Sequence, residues 1–326
     1  MKEYKAFLQL FSDHLEKYIS GLAQKSPKEL YDPEGYILSL GGKRIRPLLA
    51  VIASDLFDRA PGEALDTALA VELFHNFSLV HDDILDAAPL RRNKATVHVK
   101  WNTNIAILSG DVILVKAFQA LESYEPAAFK KLGTLFNKTA IEVCEGQQLD
   151  MSFETMDFVP VQAYLHMITL KTAVLLGCSL KMGAITAGAS EENQEHLYEF
   201  GKHLGISFQL LDDLLDAFAE DAEKFGKQPG GDIIANKKTF LLLKAMELAN
   251  ADQLEEIKTL MGLSDTAKKV KGMLSIYSQL NLKELCQQEA DKHTQIAIDS
   301  LNKTKASSAK KENLKQFALE LLNRQI

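Results

Sequence analysis

Apolar positions recur at spacings of three and four along almost all of the 326-residue chain. That is the period of an α-helix with one face turned to a core. In "ALAVELFHNFSLVHDDILD" the row is Leu69, Leu73, Phe77, Val80 and Ile84. The segments "TAVLLGCSLKMGAITAG", "LYEFGKHLGISFQLLDDLLDAF" and "KKTFLLLKAMELA" repeat it. No run alternates apolar and polar residues between hairpin turns, so no strands are expected. The breaks are short: "DPEG" (32–35), "SLGGKRIRP" (39–47), "RAPGE" (59–63) and "FGKQPGGD" (225–232). No composition shift or long linker divides the chain, so the pattern predicts one large all-α domain over residues 1–326. Beyond about residue 250 the helices read as packing, with "KASSAKKENLKQ" (305–316) a solvated turn and helix start.

Composition narrows function more than fold. With 37 Lys+Arg against 44 Asp+Glu the net charge is −7, which offers no general footprint for nucleic acid or an anionic membrane. No apolar run approaches the roughly 18 residues of a membrane span. The opening "MKEYKAFLQLFSDHLEKY" sets Glu3, Asp13 and Glu16 among its apolar positions, as in an amphipathic helix and not a secretory signal. Cys144, Cys178 and Cys286 are odd in number, far apart and free of CxxC spacing. They fit neither a disulfide framework nor a zinc site, and point to a reducing compartment such as the cytoplasm.

Against that background two acidic clusters stand out. "VHDDILD" carries Asp82, Asp83 and Asp86, and "LDDLLD" carries Asp212, Asp213 and Asp216 in the same D-D-x-L-D pattern. One such motif is compatible with a solvated face. Two on long apolar helices point to metal. Carboxylates at i and i+4 stack one turn apart and repel unless a cation lies between them. Carboxylate oxygens suit Mg²⁺, an ion that keeps its waters and is shared with substrate phosphates. If the two helices face each other, the aspartates become opposing walls of a metal–diphosphate site.

Cations follow each motif. Arg91 and Arg92 follow the first, and Lys227, Lys237 and Lys238 follow the second in "FGKQPGGDIIANKKT". A further set, Lys43, Arg44 and Arg46, follows the flexible Gly41–Gly42 pair, although the loop is no Walker motif. Guanidinium forks bind phosphate oxygens directly, whereas carboxylates bind them through metal. Polar residues also sit within apolar helices: Lys171 and Thr172 open "KTAVLLG", Gln209 precedes Asp213 by one turn, and His75 precedes Asp82 by two. His75 is compatible with a satisfied core residue or a ligand. Glu72–His75 spells E-x-x-H, but no second copy supports a di-iron bundle. There is no Gly-x-Ser-x-Gly elbow and no Cys/His dyad.

Taken in order, "GGKRIRP", "HNFSLVHDDILD", "RR", "GDVILVKAF", "EGQQLDM", "KTAVL", "FQLLDDLLD" and "FGKQPGGDI…NKKT" resemble the trans-type isoprenyl diphosphate synthases, the polyprenyl synthetases. The resemblance covers residues 36 to 245. It implies a helical bundle around a central cavity (the isoprenoid synthase type I fold), usually homodimeric, that joins isopentenyl diphosphate to an allylic primer: dimethylallyl, geranyl or farnesyl diphosphate. By the same carry-over, the six motif aspartates form the metal site. Asp82, Asp86 and Asp212 bind three Mg²⁺ ions shared with the allylic diphosphate, and the others support them. Arg91, Lys171, Lys227 and Lys237 hold the allylic diphosphate. Gly42, Lys43, Arg46, His75 and Arg92 hold isopentenyl diphosphate. Lys171, Thr172 and Gln209 carry the catalytic step, the last two facing the allylic carbon. Phe74, Phe77 and Ser78 limit chain length, with bulky Phe77 beside small Ser78 favouring twenty carbons, then fifteen. Asn93 stands where the family commonly has glycine. A class I terpene cyclase is the first alternative, but its Asn/Asp…Ser…Glu second wall is replaced here by "DDLLD". A non-catalytic partner of a synthase is the second, yet every motif is intact.

Overall fold

A computed structural model describes residues 2–219 and 230–323. The described chain is helical apart from one two-residue ladder. Its helices are α1 Lys2–Leu22, α2 Lys28–Ser39, α3 Ile45–Leu56, α4 Leu65–Leu85, α5 Val97–Lys100 and α6 Thr103–Gln119. Next come α7 Pro126–Glu154, α8 Val161–Ile168, α9 Val174–Thr186, α10 Glu191–Phe218 and α11 Gly231–Ile234. The chain closes with α12 Phe240–Leu248, α13 Ala251–Met261, α14 Thr266–Gln279, α15 Leu282–Lys303 and α16 Ser308–Leu322. The all-α expectation holds, and apolar periodicity is its cause.

Two compact units make up the chain. The first comprises Met1–Asn137, Cys178–Tyr198 and Lys305–Lys310; the second comprises Lys138–Gly177, Glu199–Thr304 and Lys311–Ile326. In the first, α4 is the central helix: Leu69, Ala70, Val71, Leu73 and Phe74 are all buried. Gly183 of α9 lies against α3 so closely that a Cβ would sit 2.1 Å from the carbonyl oxygen of Ala50. In the second, Leu210, Leu214 and Leu215 of α10, Tyr277 of α14 and Leu282 and Cys286 of α15 are buried. All three cysteines are free thiols.

Two expectations need correction. The "DPEG" turn is not a turn: residues 32–35 lie inside α2, with Pro33 in its interior. A tertiary contact overrides the local signal, because Glu34 is fully buried and bonded by Lys116 (2.6 Å) and the Tyr18 hydroxyl (2.5 Å). The second correction is a hairpin, β1 Leu90–Arg91 paired antiparallel with β2 Lys94–Ala95. Its tip needs two residues at positive φ, and Arg92 (51°) and Asn93 (60°) supply them. Asparagine is the non-glycine residue that most readily adopts that conformation, which accounts for its standing in for glycine. Thr103–Ser123 and Val161–Thr186 are long and apolar by composition, but isolated charges interrupt both, so neither is an unbroken apolar run. In the second stretch 78% of the apolar window is buried within the protein, as in a core helix.

Candidate active site

The site residues fall into two groups, one in each unit. In the first unit the Gly41–Gly42 turn has φ of 78° and 128°, and Arg44 follows at 48°. Here glycine is required. A Cβ on Gly42 would lie 2.7 Å from the Arg92 guanidinium, whose Nη1 donates to the carbonyl of Gly41. Arg44 ties the loop down by donating to Glu72 of α4 and to the carbonyl of Leu38. Glu72 also accepts from Asn76 (2.8 Å). The loop therefore holds Lys43, which is exposed, and Arg46, whose Nη1 lies 3.4 Å from His75 Nε2. Burial, then the charges of Arg46, Arg92, Arg91 and Arg44, push the His75 imidazole well below its usual range. His75 is thus neutral within an arginine cluster. Burial also lowers Arg46 to about 10 and lowers Arg92. Glu72 and Asp83 neutralise Arg44 and Arg91; among the described residues, Arg46 and Arg92 have no carboxylate within ion-pair distance. The cluster suits a polyanion.

The first aspartate motif closes α4. Aspartates at a helix C-terminus oppose the helix dipole, so the stability of α4 itself does not explain them. Asp82 is half-buried and Asp86 exposed, but Asp83 turns inward and is 1% exposed. Arg91 grips Asp83 through Nε, 2.9 Å from both carboxylate oxygens, and Nη2, 2.7 Å from one. Two turns back from Asp82, Phe74 is buried edge-on against Phe136 (5.3 Å), and Phe77 packs against the His81 ring (4.8 Å). Ser78 donates to the carbonyl of His75 (2.8 Å).

In the second unit the chain widens into a π-helical turn, Thr169–Ala173, between α8 and α9. Such turns displace side chains from the regular α register, often where function requires it. This one carries Lys171 and Thr172. Glycines wedge it from two sides: a Cβ on Gly146 of α7 would lie 2.3 Å from the Lys171 backbone nitrogen, and one on Gly205 of α10 would lie 2.6 Å from Ala173 Cα. Lys171 Nζ donates to Asp150 (2.6 Å) and Thr172 Oγ1 to Gln209 Oε1 (3.3 Å). Asp213, also turned inward and 4% exposed, accepts from the Tyr164 hydroxyl and from Gln209 Nε2 (3.2 Å). Burial pushes the Asp213 carboxyl up to about 7. Asp216 is buried and accepts from the Asp232 N–H (2.9 Å), whereas Asp212 is half-buried. Lys171, Thr172, Gln209, Asp213 and Lys237 line one cavity of about 40 Å³ with Asp150 and Tyr164. Lys227 lies outside the described residues.

Five of the expected residues thus share a cavity, and four more (Gly42, Arg46, His75 and Arg92) form the arginine cluster. Sequence reasoning missed Asp150 and Tyr164. "EGQQLDM" contained Asp150 without singling it out, and nothing local marks Tyr164. Among the described residues, no group of three or more His, Cys, Asp or Glu side chains could hold a metal ion by itself.

The chain is similar in sequence and fold to known proteins. Residues 27–280 match the polyprenyl synthetase family. A short chain isoprenyl diphosphate synthase from Methanothermobacter thermautotrophicus is 34% identical over the full length of both chains. A geranylgeranyl diphosphate synthase from Methanosarcina mazei is 42% identical over 72% of this chain and 74% of its own. A crystal structure of a geranylgeranyl pyrophosphate synthase superposes with a TM-score of 0.93, at 43% identity over 99% of each chain. Members of the matched family use divalent metal and take isopentenyl and allylic diphosphates as substrates. The chain belongs to the polyprenyl synthetase family and is a prenyl diphosphate synthase.

Proposed function

We propose that the protein, as one synthase domain over residues 1–326 in the cytoplasm, condenses isopentenyl diphosphate with an allylic diphosphate to a trans-polyprenyl product. The observation that carries this reading is the shared cavity in which Lys171 and Lys237 stand beside Thr172 and Gln209. Cations for a diphosphate there adjoin neutral oxygens suited to a carbocation. Mg²⁺, as three ions, fits the donor set: Asp82, Asp86 and Asp212 offer hard carboxylate oxygens, with substrate phosphates and water completing the coordination. When bound, Mg²⁺ supplies charge neutralisation for the departing diphosphate. Lys171, Lys237 and Lys227 orient the allylic diphosphate, joined by Arg91 alongside its hold on Asp83. Lys43, Arg46, Arg92 and neutral His75 hold isopentenyl diphosphate on the Gly42 loop. Thr172 and Gln209 present oxygen to the allylic carbon as positive charge develops, a preorganised stabilisation that water could not match. Alignment of the two substrates then lets the isopentenyl double bond attack, and the released diphosphate takes the final proton.

Each five-carbon unit buried gains roughly 4 kcal/mol, at about 0.8 kcal/mol per buried carbon. Growth therefore continues until a side chain blocks it. We assign that block to Phe77, with Phe74 and Ser78 shaping the wall, and the product to the twenty-carbon geranylgeranyl diphosphate. Incubation with isopentenyl diphosphate, Mg²⁺ and C5, C10 or C15 primers should end at C20 by mass spectrometry, and F77A should extend the ladder. A C15 end would move the block elsewhere. No condensation by folded protein with any primer would overturn the function.

The exposed face of α6 supports a homodimer. Ile107, Leu108 and Val115 are 40%, 58% and 67% exposed on it, an apolar row that a second copy could cover. The wild-type protein should sediment as a dimer and the L108E/V115E variant as a monomer. A monomeric wild type would rule this assembly out.

A further inference from the structure

Gln209 has an amide with two chemically opposite ends, and its neighbours dictate which end faces Thr172. Its Nε2 donates to Asp213 Oδ1 at 3.2 Å, and its Oε1 accepts from Thr172 at 3.3 Å. Asp213 is itself fixed. Its Oδ2 accepts from the hydroxyl of Tyr164, a residue only 2% exposed, and from the N–H of Phe240 at 3.4 Å. All three contacts of Asp213 place it as an acceptor, and its ionised form has no other role, so the group against Oδ1 brings a donor. Gln209 has one donor end, and spending it on Asp213 leaves its oxygen toward Thr172 and the cavity lined by Lys171.

We propose that Asp213 is a positioning residue that sets the orientation of the Gln209 amide, so that the negative end of the amide dipole meets the developing allylic cation. This rests on the reading that Gln209 and Thr172 face the allylic carbon. Within "DDLLD", Asp213 then differs in task from Asp212, its neighbour assigned to the metal. The same division holds in the first motif, where Asp83 is held by Arg91. Reversing the Gln209 amide would present N–H hydrogens to a carbocation, turning a stabilising dipole into a repulsive one.

The test is an isosteric exchange. In Asp213→Asn the new carbonyl oxygen takes over the Tyr164 hydroxyl and the Phe240 N–H, which leaves an NH₂ facing Gln209. Gln209 must then turn its oxygen to that NH₂ and its own NH₂ to Thr172. We expect kcat to fall about 100-fold, the effect of losing one preorganised dipole. KM for both diphosphates and the Mg²⁺ concentration for half-maximal rate should stay within about twofold, because no ligand to either is removed. In D213N/Q209E one oxygen of the introduced glutamate accepts from the introduced asparagine and the other again faces the cavity. At least about tenfold of the loss should then return. A wild-type kcat in D213N would overturn the proposal. So would a raised Mg²⁺ requirement without recovery in the double variant, which would make Asp213 a metal ligand. A lowered melting temperature without recovery would reduce it to a packing residue and overturn the proposal equally. Gln209→Leu separates the two readings. If Q209L keeps wild-type kcat, the assignment of Gln209 to the allylic carbon fails. If Q209L loses about 100-fold while D213N loses nothing, only the positioning role fails.

Discussion

Asp82→Ala should lower the turnover of condensation by about 10³-fold, or about 4 kcal/mol of transition-state stabilisation, while leaving the melting temperature unchanged. Asp82 sits one turn before the end of α4, where a negative charge opposes the helix dipole, and it stacks on Asp86 one turn on. Removing it relieves both penalties, which offset the loss of its own contacts in the folded state. Asp83→Ala, one residue along, should behave in the opposite way. Asp83 is 1% exposed and carries three contacts with Arg91 within 3 Å. Its loss leaves a half-buried guanidinium without its carboxylate, at about 2 kcal/mol of stability, reduced by the solvent that reaches Arg91. Thermal melts beside initial rates at saturating Mg²⁺ separate the two variants. An active D82A, or a D83A that melts like wild type, would invalidate the division between outward metal aspartates and inward anchoring ones.

That division shows where sequence stops being informative. The middle aspartates of the two motifs look identical to their neighbours along the chain, and only the side chains they meet distinguish them: Arg91 for Asp83, and Tyr164 and Gln209 for Asp213. The helices themselves were legible because apolar period is a local property: α4 and α10 lie where their rows of leucine and phenylalanine predict. The "SLGGKRIRP" break was legible too, since a glycine pair ends a helix by its own conformational preference. Residues 32–35 were misread because Glu34 answers to Lys116, 82 positions away. The 90–95 hairpin was missed because two-residue strands are too short to alternate. Tyr164 meets Asp213 across 49 residues, and Lys171 meets Asp150 across 21. Such partners depend on which helices meet and at what rotation, so the residue types could be named from sequence but not their pairing. The π-helical turn at Thr169–Ala173 has no residue signature of its own. What marks it is the pair of glycines packed against it from other helices.

Those glycines support the second large effect. Gly146→Ala places a methyl group 2.3 Å from the Lys171 nitrogen, 2.7 Å from its Cα and 2.8 Å from the carbonyl carbon of Leu170. All three are backbone atoms, so no side chain can swing aside, and Gly205 blocks retreat by its own approach to Ala173. Alanine gains about 1 kcal/mol over glycine in helix propensity. Overpacking should outweigh that at about 3 kcal/mol. Whatever relaxation survives must move Lys171 and Thr172, so turnover should also fall by more than about 10²-fold, and KM for the allylic diphosphate should rise. Gly133→Ala is the control within the same helix, α7. A Cβ there meets nothing within 4 Å, so the propensity gain stands alone and the variant should melt higher than wild type with unaltered kinetics. One added methyl group in one helix should therefore change stability in opposite directions at positions 133 and 146. Equal shifts at the two sites would mean that the turn carrying Lys171 is not held by the close approach of α7.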